Sequence, residues 1–270
     1  MPELPEVETV RRTLKNFVQN EMIDSVELRY QKTIDGDAKA FCEQVAHQHI
    51  NDIDRYGKYL IFNLDDAAFL SHLRMEGKYN IVAGEKPYEK HDHVIFHLSN
   101  GQDLRYNDTR KFGRMKLVDP VNYRILPPFD ELGDEPWDAD SEMIYKKIHH
   151  SKRTVKQILL DQSILCGIGN IYANEILFRM HLDPRTRASR LSRNRVVQMV
   201  QVASDVLNEA IEQGGTTINT FDANGIHGLF QVKLFVHGQK ECKVCGHPIR
   251  KIVVGGRGTY FCPKCQNRRY

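Results

Sequence analysis

Two pairs of cysteines carry the most definite chemistry in this 270-residue sequence. Cys242-Lys243-Val244-Cys245 and Cys262-Pro263-Lys264-Cys265 form two Cys-x-x-Cys knuckles with 16 residues between them. That spacing suits a four-cysteine zinc ribbon or β-hairpin finger. The segment holding them, ~35 residues, is too small to stabilise itself by burial, so the metal supplies its folding energy. All four thiolates act as ligands and leave no open coordination position. One structural Zn2+ is therefore expected, not a catalytic one. Cys42 and Cys166 stand apart and read as packed thiols. Between the knuckles, Arg257 sits between Gly256 and Gly258, where the backbone can approach a ligand closely. It suits a bidentate phosphate contact, and it equally suits a plain exposed hairpin arginine.

The other end offers a different reagent. In Met1-Pro2-Glu3 a small residue follows the methionine, so trimming is expected to leave Pro2 first. Its α-nitrogen is then a secondary amine, and α-amino groups titrate at ~7.7–8.0, far below lysine at ~10.4. A substantial fraction of such a nitrogen is neutral and nucleophilic at cell pH. Attack on an aldehyde-level carbon would give a charged iminium, which is an electron sink. Glu3 beside it is a candidate proton shuttle. Taken alone, these residues are also compatible with an inert terminus.

These groups need elements to position them. Pro5 to Leu14 reads as a helix with proline and acids in its first turn. Tyr59 to Phe62, His93 to Leu98, Leu104 to Tyr106 and Gly113 to Val118 read as strands, with an Asn100-Gly101 turn between two of them. A mostly antiparallel β-sandwich over residues 1–120 is the expectation. Residues 121–140 are rich in proline and acid and read as an interdomain linker that turns away from a polyanion. Residues 141–235 read as helical up to about 213, followed by a loop. Lys152 to Leu165 is predicted helical, and a second helix resumes at Ile171 after Cys166-Gly167-Ile168-Gly169-Asn170. A turn of this kind can aim backbone N–H groups at a phosphate, or be a plain αα-corner. A third helix, about Arg190 to Gln213, ends at Gly214-Gly215. Residues 236–270 form the metal module, and residues 214–236 read as a mobile loop.

Composition narrows the partner. Hydrophobic residues are 41% and charged residues 27%, an ordinary globular mixture that excludes a disordered, collagen-like or coiled-coil chain. No run approaches the ~18 apolar residues of a membrane span. An acidic start is no signal peptide, and six cysteines in this length suit a reducing cytoplasm better than a disulfide framework. Residues 1–150 hold 20 Lys+Arg against 27 Asp+Glu, and residues 151–270 hold 18 against 8. A basic second half suits nucleic acid or a merely solvated surface.

Three motifs in order, Pro2-Glu3-Leu4-Pro5-Glu6-Val7-Glu8-Thr9-Val10-Arg11, Gly167-Ile168-Gly169-Asn170-Ile171-Tyr172 and the four-cysteine finger, resemble the bacterial formamidopyrimidine-DNA glycosylases over essentially the whole chain. The resemblance implies an α+β multidomain protein: an N-terminal antiparallel β-sandwich, a helix-two-turns-helix domain and a C-terminal zinc finger, with damaged double-stranded DNA in the cleft between the halves. It implies a bifunctional glycosylase and abasic-site lyase acting on 8-oxoguanine and formamidopyrimidines. Pro2 would attack C1′ with Glu3 as acid/base. Lys58 would serve β-elimination and a phosphate contact, and Arg257 would serve δ-elimination. His72-Leu73-Arg74-Met75 and Thr109-Arg110-Lys111-Phe112-Gly113 resemble the family's wedge loops. Met75 would fill the vacated stack, Arg110 would face the orphaned cytosine, and Phe112 would part neighbouring pairs. His91, Lys152, Arg153, Lys156 and Asn170 match backbone contacts. His91 and His93 are not read as a metal pair, since no third ligand lies nearby in sequence. The implied partner is DNA without a membrane, the implied state a monomer, and no organic cofactor is implied.

One departure stands out. Asn219 occupies a position where the family usually has Lys or Arg, bordering the loop of about residues 220–228, so the lesion preference is open. Two rivals remain at this point. An endonuclease VIII-like enzyme for oxidised pyrimidines usually has glycine at the position of Leu4. A non-catalytic zinc-finger protein binding distorted DNA would leave Pro2 and Glu3 idle.

Overall fold

The computed structural model describes residues 1–215 and 234–267, which fall into two compact units, Met1–Asp130 and the described residues from Glu131 onward.

The first unit is a two-sheet sandwich with a helix laid against it. Strands β1 (Met22–Leu28), β2 (Gln48–His49), β6 (Lys78–Ala83), β7 (Asp92–Leu98) and β8 (Gln102–Asn107) form a five-stranded sheet in the order β2-β1-β7-β8-β6. Strands β3 (Asp52–Tyr56), β4 (Tyr59–Asn63), β5 (Ala68–His72) and β9 (Arg114–Val118) form a four-stranded sheet in the order β3-β4-β5-β9. All named pairings are antiparallel. Phe69 of β5 stacks on Phe62 of the same sheet at 4.5 Å and on Phe96 of the other sheet at 5.5 Å. This aromatic column joins the inner faces of the sandwich.

Helix α1 (Leu4–Val18) starts at a capping box in which Glu6 accepts the Glu3 N–H at 2.8 Å. Leu4, Val7, Val10, Leu14 and Val18 make one buried stripe at helical spacing. The carboxylate of Glu8 then ties the helix to the four-stranded sheet. It accepts from Arg11 at 2.7 and 2.9 Å, from Arg12 at 2.8 Å, and from Arg55 of β3 at 3.0 Å. Burial alone would raise the Glu8 pKa, but the hydrogen bonds and charges of Arg11, Arg12 and Arg55 overcome it and pull it from 4.5 to about 2. A second helix, α2 (Ala38–Val45), is absent from the sequence reading. Asp37 caps it, yet it buries only Phe41 and Val45, which is too little periodicity to read.

The second unit is helical. It contains α3 (Ser141–Ile148), α4 (Val155–Leu160), α5 (Asn170–Arg179) and α6 (Arg193–Glu212), followed by a hairpin of β10 (Arg250–Val254) and β11 (Arg257–Phe261). The expected helix over Lys152–Leu165 shrinks to α4. Thr154 caps it late, and at Asp161 a local turn replaces it, where the carboxylate accepts the Ser163 N–H and hydroxyl. α6 ends as expected, with Gly214 and Gly215 both at positive φ. The boundary between the two units, at Asp130, falls within the acidic stretch 121–140. Phe129 packs edge-on against Tyr56 and Tyr59 in the first unit, while Gly133 and Asp134 bond to Gln162 and Cys166 in the second. Among the described residues no helix is long and apolar enough to cross a membrane.

The Glu8 network sets a pH dependence. A carboxylate with a depressed folded pKa adds stability above its unfolded value of 4.5, and that stability is lost as pH falls through about 2. Glu8→Gln is expected to cost on the order of 3 kcal/mol at pH 7, as for one partner removed from a buried ion pair. The difference from the unsubstituted protein should close as pH falls toward 2. Urea melts across pH check it, and a gap that stays constant with pH refutes the assignment.

Candidate functional site

In the first unit, Pro2 and Glu3 are buried at the mouth of α1, whereas Met1 is 38% exposed. The capping box fixes Glu3 at the positive end of the helix dipole. The β3–β4 hairpin turns through Gly57 at φ 55° and Lys58, with Tyr56 paired to Tyr59. Arg55 bonds both Glu8 and the Gly57 carbonyl, so one carboxylate anchors α1 and the Lys58 turn together. Lys58 is only 6% exposed, which is unlike the solvated strand lysine that the sequence context alone would suggest.

His72, at the end of β5, is a residue to which the sequence reading gives no role of its own. Burial first, then the charges of Arg74 and Lys58, lower its pKa to about 3, so the ring is neutral at cell pH. Its Nδ1 accepts the Arg74 N–H at 3.0 Å, which leaves the proton on Nε2. His72 is therefore a neutral donor in the field of Lys58. A lone histidine closing a strand carries no spacing signal.

Met75 is half-buried, while Arg110 and Phe112 are exposed, with the Arg110 guanidinium 4.8 Å from the centre of the Phe112 ring. His91 is half-buried, 6.2 Å ring to ring from His93. The Nε2 of His93 pairs with the Asp108 carbonyl at 2.8 Å, which uses that nitrogen for structure.

In the second unit, Gln162 shapes the glycine turn. Its side chain accepts the Gly167 N–H at 3.0 Å and donates to the Ile168 carbonyl at 2.9 Å. Lys152 is exposed, and Arg153 pairs with Asp161 at 2.6 Å. Lys156 is fully enclosed, and its ammonium donates to Asn174 Oδ1 and to the Asn170 carbonyl. The Asn170 side-chain amide donates to the Gly258 carbonyl at 2.9 Å, while its Oδ1 is buried without a protein partner. Asn170 thereby pins the hairpin next to Arg257. Gly255 and Gly256, both at positive φ, form the two-residue turn that exposes Arg257 at the start of β11.

The four sulfur atoms of Cys242, Cys245, Cys262 and Cys265 lie within 4.8 Å of one another, and they are the one metal-competent cluster among the described residues. Four converging thiols fit tetrahedral zinc and leave no place for water. Cys242 and Cys262 pack with Phe178 of α5 and Val236, so the metal module shares an apolar cluster with the helices. Cys166 is buried and Cys42 half-buried, apart from the metal cluster. Asn219 and the 220–228 loop lie outside the described residues.

Comparison with known proteins covers the whole chain. Family models match in order: the formamidopyrimidine-DNA glycosylase N-terminal domain over residues 1–115, the H2TH domain of the same enzymes over 132–222, and a zinc finger found in FPG and IleRS over 239–268. The formamidopyrimidine-DNA glycosylase of Bacillus licheniformis is 45% identical, covering 99% of this chain and 100% of the relative. That of Bacillus subtilis is 45% identical, with complete coverage of both. Among solved structures, a Lactococcus lactis FPG mutant in complex with Fapy-dG containing DNA superposes with a TM-score of 0.92 at 37% identity, covering 98% of this chain and 99% of that one. A wild-type Lactococcus lactis Fpg with N7-benzyl-Fapy-dG containing DNA gives 0.92 at 38% identity, with the same coverage.

The cysteine geometry predicts one zinc per chain by elemental analysis. Chelation, or Cys262→Ser, should remove it, unfold the β10–β11 hairpin and abolish DNA binding. Metal-free protein that still binds DNA would contradict the assignment.

Proposed function

The chain belongs to the formamidopyrimidine-DNA glycosylase family, and from that premise we propose that it is a base-excision repair enzyme for oxidised purines in double-stranded DNA, with both glycosylase and abasic-site lyase activity. The observation that carries this reading is the buried Pro2-Glu3 pair held at the mouth of α1.

Loss of the exposed Met1 leaves the Pro2 nitrogen as a secondary amine. That nitrogen attacks C1′ of the flipped nucleotide, a C1′–N bond forms, and the C1′–base bond breaks. The departing base takes the amine proton, Glu3 donates a proton to O4′, the C1′–O4′ bond opens, and the nitrogen lone pair forms the C1′=N iminium. The resulting iminium acidifies the C2′ protons. Lys58 takes one, the electron pair moves toward C1′, and the 3′ phosphate leaves. A second elimination expels the 5′ phosphate, with Arg257 as proton donor. Neutral His72 adds a hydrogen-bond donor close to the Lys58 charge.

Flipping a base leaves a hole in the stack that costs a few kcal/mol. Met75 fills it, Arg110 faces the orphaned cytosine, and Phe112 parts the adjacent pairs. His91, Lys152, Arg153 and Asn170 grip the backbone. Lys156, enclosed as it is, acts on the phosphates through the Asn170 turn that it braces. Zinc holds the Arg257 hairpin and takes no part in the chemistry. The enzyme works as a monomer in the cytoplasm, and Asn219 tunes the preference among lesions.

A duplex with one 8-oxoguanine paired to cytosine tests the reading. The protein should excise the base and leave phosphates on both sides of the gap, and Pro2→Gly, which puts an unconstrained primary amine in place of the ring-held secondary one, should lose at least ~100-fold in rate. Intact DNA, bound but never cut, would support the non-catalytic binder instead. Binding should also weaken steeply with salt, by ~10³-fold or more between 50 and 200 mM for six or more phosphate contacts. A flat response would rule out the backbone grip.

A further inference from the structure

Two loops of the first unit carry the wedge side chains. Leu73–Gly77 joins β5 to β6 and bears Met75, and Asp108–Gly113 joins β8 to β9 and bears Arg110 and Phe112. Each crosses from one sheet to the other, so neither tip has a ladder to hold it.

Side chains hold them instead. Asp108 is wholly buried, and its carboxylate accepts the backbone N–H of Arg110 at 3.0 Å, Phe112 at 2.9 Å and Gly113 at 2.8 Å. Bonds from amides to a charged acceptor are short and strong. Lys111 takes the left-handed conformation, φ 59°, as the chain curls around that carboxylate. The hydroxyl of Tyr106, also buried, donates at 3.4 Å to the Asp108 oxygen that holds Phe112 and Gly113. Burial, then the Asp108 charge, pushes the Tyr106 phenol well up, so it remains a donor.

That hydroxyl also touches both loops. A Cβ on Gly113 would stand 1.6 Å from it, and one on Gly77 would stand 2.2 Å from it. On the outer side, the Thr109 hydroxyl donates to the Glu76 carboxylate and makes a second link between the loops.

We propose that Tyr106, Asp108 and the Glu76–Thr109 hydrogen bond join the two loops into one block, so that Met75, Arg110 and Phe112 enter the duplex as a unit. The proposal rests on the glycosylase reading. These are positioning residues, since they act on DNA only through the wedge they hold. Order imposed before binding need not be imposed during it, which favours opening a duplex.

The exposed link allows a test without unfolding the protein. Glu76→Ala, Thr109→Val and their combination are compared on two substrates: single-turnover excision from an 8-oxoguanine:cytosine duplex, and borohydride trapping on a single-stranded abasic oligonucleotide, which needs no wedge. Each single change should slow duplex excision by ~5-fold, the scale of one lost hydrogen bond. The combination should be no slower than the slower single change, because one shared interaction is removed. Trapping on the single strand should be unchanged, and Glu76→Gln, which keeps an acceptor, should restore the duplex rate. Multiplying losses, an equal loss on the single strand, or no loss in any variant would each overturn the proposal. If the unsubstituted protein neither excises from the duplex nor traps on the single-stranded abasic DNA, the glycosylase reading fails first and takes this proposal with it.

Discussion

The hydrogen bond from the Glu3 N–H to the Glu6 carboxylate holds still what most chains leave loose. Termini normally fray, but a terminal nucleophile must be held near its target to well under an ångström. Here α1 begins at Leu4, its capping box takes in Glu3, and Pro2 is already buried. Further along, Glu8 fastens the same helix to Arg55 and through it to the Lys58 turn. The groups assigned to attack and to proton removal thus hang from two carboxylates, Glu6 and Glu8, near the start of one helix.

The second unit solves a different problem by similar means. Its Arg257 sits on a hairpin too small to fold alone, and two supports hold it. Four sulfurs converge at one end, and Asn170 donates to the Gly258 carbonyl at the other. The buried Lys156 braces that same asparagine turn from beneath. On the proposed reading, side chains that grip phosphate gain from such rigidity, because a preordered contact loses less entropy on binding.

Legibility in the sequence followed the range of the interaction. The cysteine knuckles could be read because ligand spacing is local, and α1 because its stripe, proline and acids coincide within a few turns. Helix α2 could not, since two buried side chains make no period. The helix expected from Lys152 broke at Asp161 because that side chain competes for backbone N–H groups. Asp108 was unreadable as a hub, since its partners are amides, and any residue supplies those. Lys156 ran against expectation, as a lysine is seldom enclosed without a dedicated acceptor, and Asn174 is distant in sequence. Pro2 and Glu3 gained meaning only beside the turn and the finger.

The central claim is covalent attack by the Pro2 nitrogen, and mapping the reduced protein–DNA adduct tests it most directly. After borohydride trapping on abasic DNA and digestion, the sugar remnant should appear on a single peptide that begins at Pro2, with Met1 gone. An adduct on a lysine side chain, or on a peptide that still carries Met1, would contradict the account.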